Sequence, residues 1–141
     1  LQSGESARLT APEDRSGAYH ALEIPAVDYL KALRVRTAGG AAMASALAGF
    51  DAILAPAYPC IAPPAEGNFE AYFDQFGDEG LGGMGNLIGL PSIAVPTGFE
   101  NGSPTSLEIL GPWWTEGTLV AIAEAYQART DWHTRRPDRF A

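Results

Sequence analysis

The side chains best suited to catalysis or metal binding are few and far apart in this sequence. A nucleophilic cysteine needs a nearby base or a positive environment, and the sequence around Cys60 supplies neither. His20, Cys60 and His133 lack the spacing of a metal site. Lys31 lies in a regular helical pattern three residues after Asp28, which favours an exposed lysine over a buried base. These residues therefore predict no catalytic centre and no metal site, unless a histidine approaches Cys60 in space.

A glycine pattern of the G-x-G-x-x-G type occurs at Gly80, Gly82 and Gly85. A dinucleotide site requires a hydrophobic strand before this pattern and a helix after it. Here the residues FGDE precede it, and Gly89 and Pro91 interrupt any helix. We therefore predict no cofactor, and a glycine-rich loop that allows close backbone packing.

Composition excludes several classes of function. The net charge of -8, with 17 acidic and 9 basic residues, argues against nucleic acid binding. No apolar run approaches the roughly 20 residues that span a bilayer, so no membrane association is expected. A single cysteine and a polar start without a signal peptide predict a cytoplasmic protein. Hydrophobic content of 46% with 18% charged residues is typical of an ordered globular domain.

The first half of the chain is predicted to contain one long helix. Residues 1–17 are polar and rich in turn residues, and we expect a flexible N-terminal segment there, with one domain over residues 18–141. Pro25 suits the first position of a helix that runs to Leu47. The Gly39-Gly40 pair inside this helix costs about 1 kcal/mol per glycine relative to alanine and marks the place for a kink.

The second half is predicted to contain strands and a helix around a long loop. Short apolar runs predict strands buried on both faces at Ala52–Ala55, Ser92–Val95 and Thr105–Leu110. Tyr58 to Gly85 is predicted to be a loop. Proline cannot donate to a sheet ladder, so pairing should stop at Pro91 and Pro96. The turn between the last two strands is expected to use Gly98, Asn101 and Gly102.

The final helix is predicted over Thr115–Arg129. Thr115 is a good N-cap residue, and Glu116 suits the positive end of the helix dipole. The apolar residues of this segment are spaced to form one stripe, namely Leu119, Ile122, Ala123 and Tyr126.

Five segments in order resemble the carboxy-terminal part of the amidase signature family, the serine-dependent amide hydrolases. They are YLKALRVR, FDAILAPAYPCIAPP, NLIGLPSIAVPTGF, LEILGPWWTEGTLVAIAEAY and TDWHTRRP, and they cover roughly Leu30 to Pro137. The resemblance implies an α/β fold, with a mixed sheet flanked by helices. The sequence departs from the family pattern at two places. Gly102-Ser103-Pro104 replaces the family's glycine-leucine-proline step, and Glu108 replaces a glutamine, which leaves the polarity of a pocket there undecided.

The family's catalytic residues have no counterpart in this sequence. Family members use a serine nucleophile, a second serine in a cis peptide and a lysine base, all from segments upstream of the matched region. No G-G-S or S-S-G string occurs here. The resemblance therefore implies the carboxy-terminal part of an enzyme that hydrolyses carbon–nitrogen bonds of a small-molecule amide, inactive by itself. The missing initiating methionine agrees with a piece of a longer protein.

The resemblance also suggests pocket residues. In the family, the loop before the NLIGLP-type motif faces the substrate, which makes Asp78, Glu79 and Asn86 the candidates for substrate binding. The alternative is that Asp78 and Glu79 are solvated loop acids and that Asn86 bonds the backbone in a turn.

Two other functions remain open at this point. One is a non-catalytic module that binds a small molecule or a partner, and the other is the amide-hydrolysing component of a tRNA-dependent amidotransferase. A chain taken from a larger sheet would expose apolar surface, so we expect self-association or an N-terminal partner chain. The apolar surfaces concerned are Ala52–Ala55, the aromatic residues between Phe69 and Phe76, and Trp113-Trp114.

Overall fold

The computed structural model describes residues 3–10, 22–64, 66–67, 71–72, 74–75 and 81–138. The chain divides into two compact units, Leu1–Ala38 and Gly39–Ala141. The first unit contains a 3₁₀-helix at Glu5–Arg8 and the part of helix α1 (Ala26–Ala46) that precedes Gly39. The boundary predicted between residues 17 and 18 lies outside the described residues and stays a prediction. No described helix is both long enough and apolar enough to cross a membrane.

Helix α1 confirms the predicted long helix and extends through both central glycines. The carbonyl of Pro25 accepts hydrogen bonds from the amides of Asp28 and Tyr29, at 2.9 and 3.1 Å. Gly40 is needed for packing, because a Cβ atom there would lie 2.8 Å from the indole ring of Trp113. The glycine that sequence reasoning treated as a weak point of the helix therefore makes room for a tryptophan.

The second unit is built on a three-stranded antiparallel sheet. Its strands are β1 (Ile53–Pro56), β2 (Ser92–Glu100) and β3 (Ser103–Leu110), in the order β1-β3-β2. Both outer strands pair antiparallel with the central strand β3. Glu108 of β3 lies opposite Ala55 of β1 on one side and Ala94 of β2 on the other. All three predicted strands are present, and helices pack on the sheet, which confirms the predicted α/β class.

Strand β2 is longer than predicted because it continues through a proline. Pro96 lies opposite Ser106, and the register shifts between Pro96 and Gly98. Since β2 pairs with β3 alone among the described strands, the nitrogen of a proline can face the open side without losing a ladder bond. Asn101 and Gly102 have φ values of 51° and 78°, the left-handed pair that a two-residue type I′ hairpin requires. Gly98 therefore belongs to the bulge and not to the turn.

Helix α3 (Glu116–Gln127) packs on one face of the sheet and confirms the predicted apolar stripe. Leu119 and Ala123 form a core cluster with Val95 and Ile109, and partly buried side chains surround it, among them Ile122 and Tyr126. Thr115 holds the predicted N-cap position. Its hydroxyl, however, donates to the carbonyl of Pro112 at 2.6 Å and makes no capping bond to the helix.

The opposite face is covered by the end of α1 and by a short helix, α2 (Leu81–Ile88), within the segment that we predicted to be a loop. Met43, Leu47 and Ile88 form the second core cluster, against which Ile53 and Leu90 pack. Coverage of this face is partial, and Ser92 and Ala94 are exposed. The prediction of strands buried on both faces was therefore wrong for the first residues of β2.

Candidate functional site

The segment before β2 is held against the sheet by glycines. A Cβ atom on Gly85 would lie 2.9 Å from Cδ1 of Leu110, and one on Gly82 would lie 3.3 Å from Oε2 of Glu108. A side chain at Gly85 would therefore require the Leu110 side chain to move, and one at Gly82 would require a smaller movement of the Glu108 carboxylate. The predicted role in close packing is confirmed for Gly82 and Gly85, which lie in a helix and not in a loop, while Gly80 lies outside the described residues.

The end of α2 is fixed by backbone geometry and by one tryptophan. Gly89 has a φ of 75°, and the amides of Gly89 and Leu90 both donate to the carbonyl of Gly85, at 2.8 and 2.9 Å. This arrangement is typical of a helix that ends in a left-handed glycine. The indole nitrogen of Trp113 donates to the carbonyl of Ile88 at 3.3 Å. The chain therefore enters β2 from a well-determined position.

Glu108 is the charged side chain of β3 that lies against this helix. It is half-buried, and its neighbours across the two strand pairs are alanines. Its carboxylate lies beside Gly82, in the first turn of α2, where the helix dipole favours negative charge. The neighbours of Glu108 on these three sides are therefore small residues. Sequence reasoning identified Glu108 only as a departure from a family pattern, since its small neighbours come from other elements.

No described side chain is arranged as an activated nucleophile or base. Lys31 donates to a carboxylate oxygen of Asp28 at 3.1 Å, and the two side chains are 67% and 54% exposed. The prediction of an exposed lysine is confirmed. His133 is exposed in a 3₁₀-helix at Trp132–Thr134, and His20 lies outside the described residues. Among the residues that the structure describes, no three potential ligands cluster as a metal site would require.

Cys60 lies beside a phenol and an acid, not beside a positive group. The hydroxyl of Tyr72 donates to the carbonyl of Ile61 at 2.9 Å. Partial burial raises the pKa of the Tyr72 phenol above its ordinary value of 10.0, and the neighbouring Cys60 thiol and Glu100 carboxylate raise it further. Reactive cysteines need positive surroundings, whereas Glu100 lines the same cavity as Cys60. That Cys60 is non-catalytic stays a prediction.

Sequence and fold both point to one group of relatives. A glutamyl-tRNA(Gln) amidotransferase subunit from Pseudomonas syringae pv. tomato is 36% identical to the chain over 112 residues, which are 79% of the chain and 23% of that protein. The subunit of the same name from Roseiflexus sp. is 37% identical over 110 residues, with 78% and 23% covered. A crystal structure of an amidase matches with a TM-score of 0.70 and 26% identity over 89% of the chain and 30% of that structure.

The chain is a homologue of the carboxy-terminal portion of amidase signature proteins. A glutamyl-tRNA(Gln) amidotransferase subunit from Thermotoga maritima also matches in structure, with a TM-score of 0.53 and 26% identity over 74% of the chain and 22% of that structure. No protein-family model matches the chain. The chain spans about 23% of the length of the curated relatives that it matches.

Only one of the three residues predicted to line an amidase signature pocket, Asn86, lies among the described residues. Asn86 is exposed on α2, inside the helix, so the alternative of a turn residue was wrong. Asp78 and Glu79 lie outside the described residues. Asn86 is four residues after Gly82, so it lies about one helical turn from the residue that faces Glu108. Its role in substrate binding stays a prediction.

Proposed function

We propose that this chain supplies the carboxy-terminal portion of an enzyme that hydrolyses the carbon–nitrogen bond of a small-molecule amide. The observation that carries the proposal is the match to an amidase crystal structure over 89% of the chain but 30% of that structure. In this proposal, the serine nucleophile, the cis serine and the lysine base come from residues outside the 141 of this chain. The exposed ion pair of Lys31 and the acidic surroundings of Cys60 support that assignment.

The chain itself would contribute framework and part of the pocket. Helix α2 rests on β3 through Gly82 and Gly85, and its capped end fixes the start of β2. A pocket wall built on such elements holds its geometry better than one built on a free loop. Asn86, together with Asp78 and Glu79, would face the substrate from this wall.

A second candidate function is the amide-hydrolysing part of a tRNA-dependent amidotransferase. The observation that favours it is the shared name of the relatives from Pseudomonas syringae and Roseiflexus, both of which are glutamyl-tRNA(Gln) amidotransferase subunits. The net charge of -8 gives no support for direct contact of this chain with tRNA.

Purified chain should release no product from a panel of aryl amides, because none of the side chains that the structure describes is arranged as an activated nucleophile. Turnover is measured by chromophore release, with the amidase of the solved relative as positive control. Activity that persists after combined replacement of His20, Cys60 and His133 by alanine would contradict the proposal, since it would require a catalytic group within the chain.

Sedimentation over a wide concentration range separates the proposal from a free-standing binding module. Large apolar side chains are exposed, including Leu54 at 58%, Leu87 at 57% and Trp114 at 91%. We expect self-association of the isolated chain, or stability only beside an amino-terminal partner chain. A compact monomer at every concentration, with no dye-accessible apolar surface, would favour the non-catalytic module instead. Of the predicted aromatic surface, Tyr72 is half-buried, while Phe69, Phe73 and Phe76 lie outside the described residues.

A further inference from the structure

We propose that a cavity at the hairpin end of the sheet binds a small organic cation, an ammonium group carried on a short apolar body. This hairpin cavity has a volume of about 310 Å³ and lies between the loop after β1 and the β2–β3 hairpin. The lining residues used below are Tyr58, Cys60, Thr97, Glu100, Thr105 and Ser106. Small-molecule sites range from about 300 to 1,000 Å³, so the cavity suits a ligand of a few heavy atoms.

Fixed backbone surrounds the hairpin cavity on both sides. The amide of Ala57 donates to the carbonyl of Ser106 at 3.0 Å, so the loop that contains Tyr58 and Cys60 begins at a fixed distance from β3. On the other side, the β-bulge of β2 falls at Thr97, and bulges commonly redirect a side chain toward a site. The hydroxyls of Thr97 and Thr105 are 3.2 Å apart. Two oxygen atoms are thereby presented together at one wall.

The charge of the lining selects a cation. Among the described residues that line the cavity, Glu100 is the only acidic one, and none is a lysine, arginine or histidine. A carboxylate accepts hydrogen bonds and donates none, so an anionic ligand would meet repulsion. Tyr58 adds aromatic surface, over which an ammonium group gains further stabilisation. The net charge of -8 favours the approach of the same ligands.

The hairpin cavity is separate from the proposed amide site. Along β3, side chains alternate between the faces of the sheet, so the cavity residues Thr105 and Leu107 lie on the side of α3, while Ser106, which also lines the cavity, shares the face of Glu108. The residues predicted to bind an amide precede β2, at the opposite end of that strand from Glu100. The proposal therefore does not depend on amide hydrolysis, and its test needs no enzymatic activity.

The test is a titration of ¹⁵N-labelled chain with n-butylammonium, followed by amide chemical shifts, at constant ionic strength. We expect saturable shifts confined to the hairpin cavity, at Thr97, Glu100 and Thr105. Neutral n-butanol and anionic butyrate should bind more weakly, for butanol by up to about fivefold, as expected for the loss of one exposed charge interaction. Equal binding of butanol would overturn the proposal, because it would identify an apolar crevice without charge selectivity.

Matched variants locate the binding. Glu100→Gln should weaken n-butylammonium binding by up to about fivefold, whereas Glu124→Gln, which removes the same charge from an exposed position of α3, should leave the affinity unchanged. Equal weakening by both variants would mean attraction by net charge alone and would overturn the proposal. Thr105→Val is a second variant, which removes one of the two hydroxyls from the cavity wall. For each variant, unshifted amide signals of Ile109 and Ala123 show that the chain is folded. Absence of any localised shift in the parent chain would also overturn it.

Discussion

Helices α2 and α3 cover opposite faces of one sheet by different physical means. Helix α3 places large apolar side chains into the sheet, with Leu119 2% and Ala123 4% exposed. Helix α2 contains three glycines in eight residues, and the side chain of Leu110 occupies the space that a side chain on Gly85 would take. The first arrangement follows from the apolar period of the helix, while the second depends on a residue of a strand distant in sequence.

Helices α2 and α3 also differ in the source of their stability. Each glycine in a helix costs about 1 kcal/mol relative to alanine, and isolated helices this short do not form in water. Helix α2 must therefore be stabilised by tertiary contacts through Gly85 and Ile88, both of which are buried. Helix α3, at 12 residues, combines better local propensity with its apolar stripe. We expect α2 to depend on the sheet more strictly than α3 does.

The largest effect should come from the side-chain contacts of α3. Leu119→Ala removes a fully buried side chain and should lower the free energy of unfolding by about 2–5 kcal/mol, measured by urea denaturation. Val120→Ala is the control, because Val120 is adjacent in the same helix but 46% exposed. Similar losses in the two variants would mean that α3 does not pack by its predicted stripe.

Alanine substitutions in the two helices should have opposite signs. Gly85→Ala would press a methyl group against Leu110, which is 1% exposed and cannot move freely. Overpacking costs about 1–3 kcal/mol, which outweighs a gain of about 1 kcal/mol in helix propensity. At Gly117 in α3, a Cβ atom would meet nothing within 4 Å, so Gly117→Ala should raise thermal stability. If both variants raise the melting temperature, the close approach of α2 to β3 is not what we describe.

These substitutions show what could be predicted from the sequence. The stripe of α3 and the three strands could be predicted because apolar spacing reports burial directly. Helix α2 could not, since its glycines oppose a helix locally and only Leu110 and Glu108 explain them. The continuation of β2 through Pro96 was missed for a similar reason, because the position of a strand at the edge of a sheet is not a local property. The prediction that Asn86 lines a pocket rested on family resemblance alone, and it stays a prediction.

The smallest expected effect is on the pH dependence of the melting temperature, through Tyr72 in the segment before α2. The raised pKa of Tyr72 means that the folded chain favours the protonated phenol. Its contribution is fully present below about pH 10 and is lost as the pH rises through the folded pKa. The melting temperature of the parent chain should thus fall more steeply above about pH 10 than that of Tyr72→Phe. Tyr29→Phe, in α1, is the control and should follow the parent curve. Parallel curves for all three chains would contradict the prediction.

Pro96 makes the β2 edge of the sheet less able than the β1 edge to accept a further strand. It has no amide hydrogen, and the bulge beside it bends the same part of β2, so a further strand would find a missing donor and an irregular edge there. Strand β1 carries amide hydrogens at its three residues before Pro56, and these alternate between β3 and the open side of the described sheet. Addition of a strand, from a partner or from another copy, is therefore favoured at β1. Two copies would therefore pair β1 edge to β1 edge more readily than β1 edge to β2 edge. The first contact closes a dimer, whereas the second could continue into an open fibre.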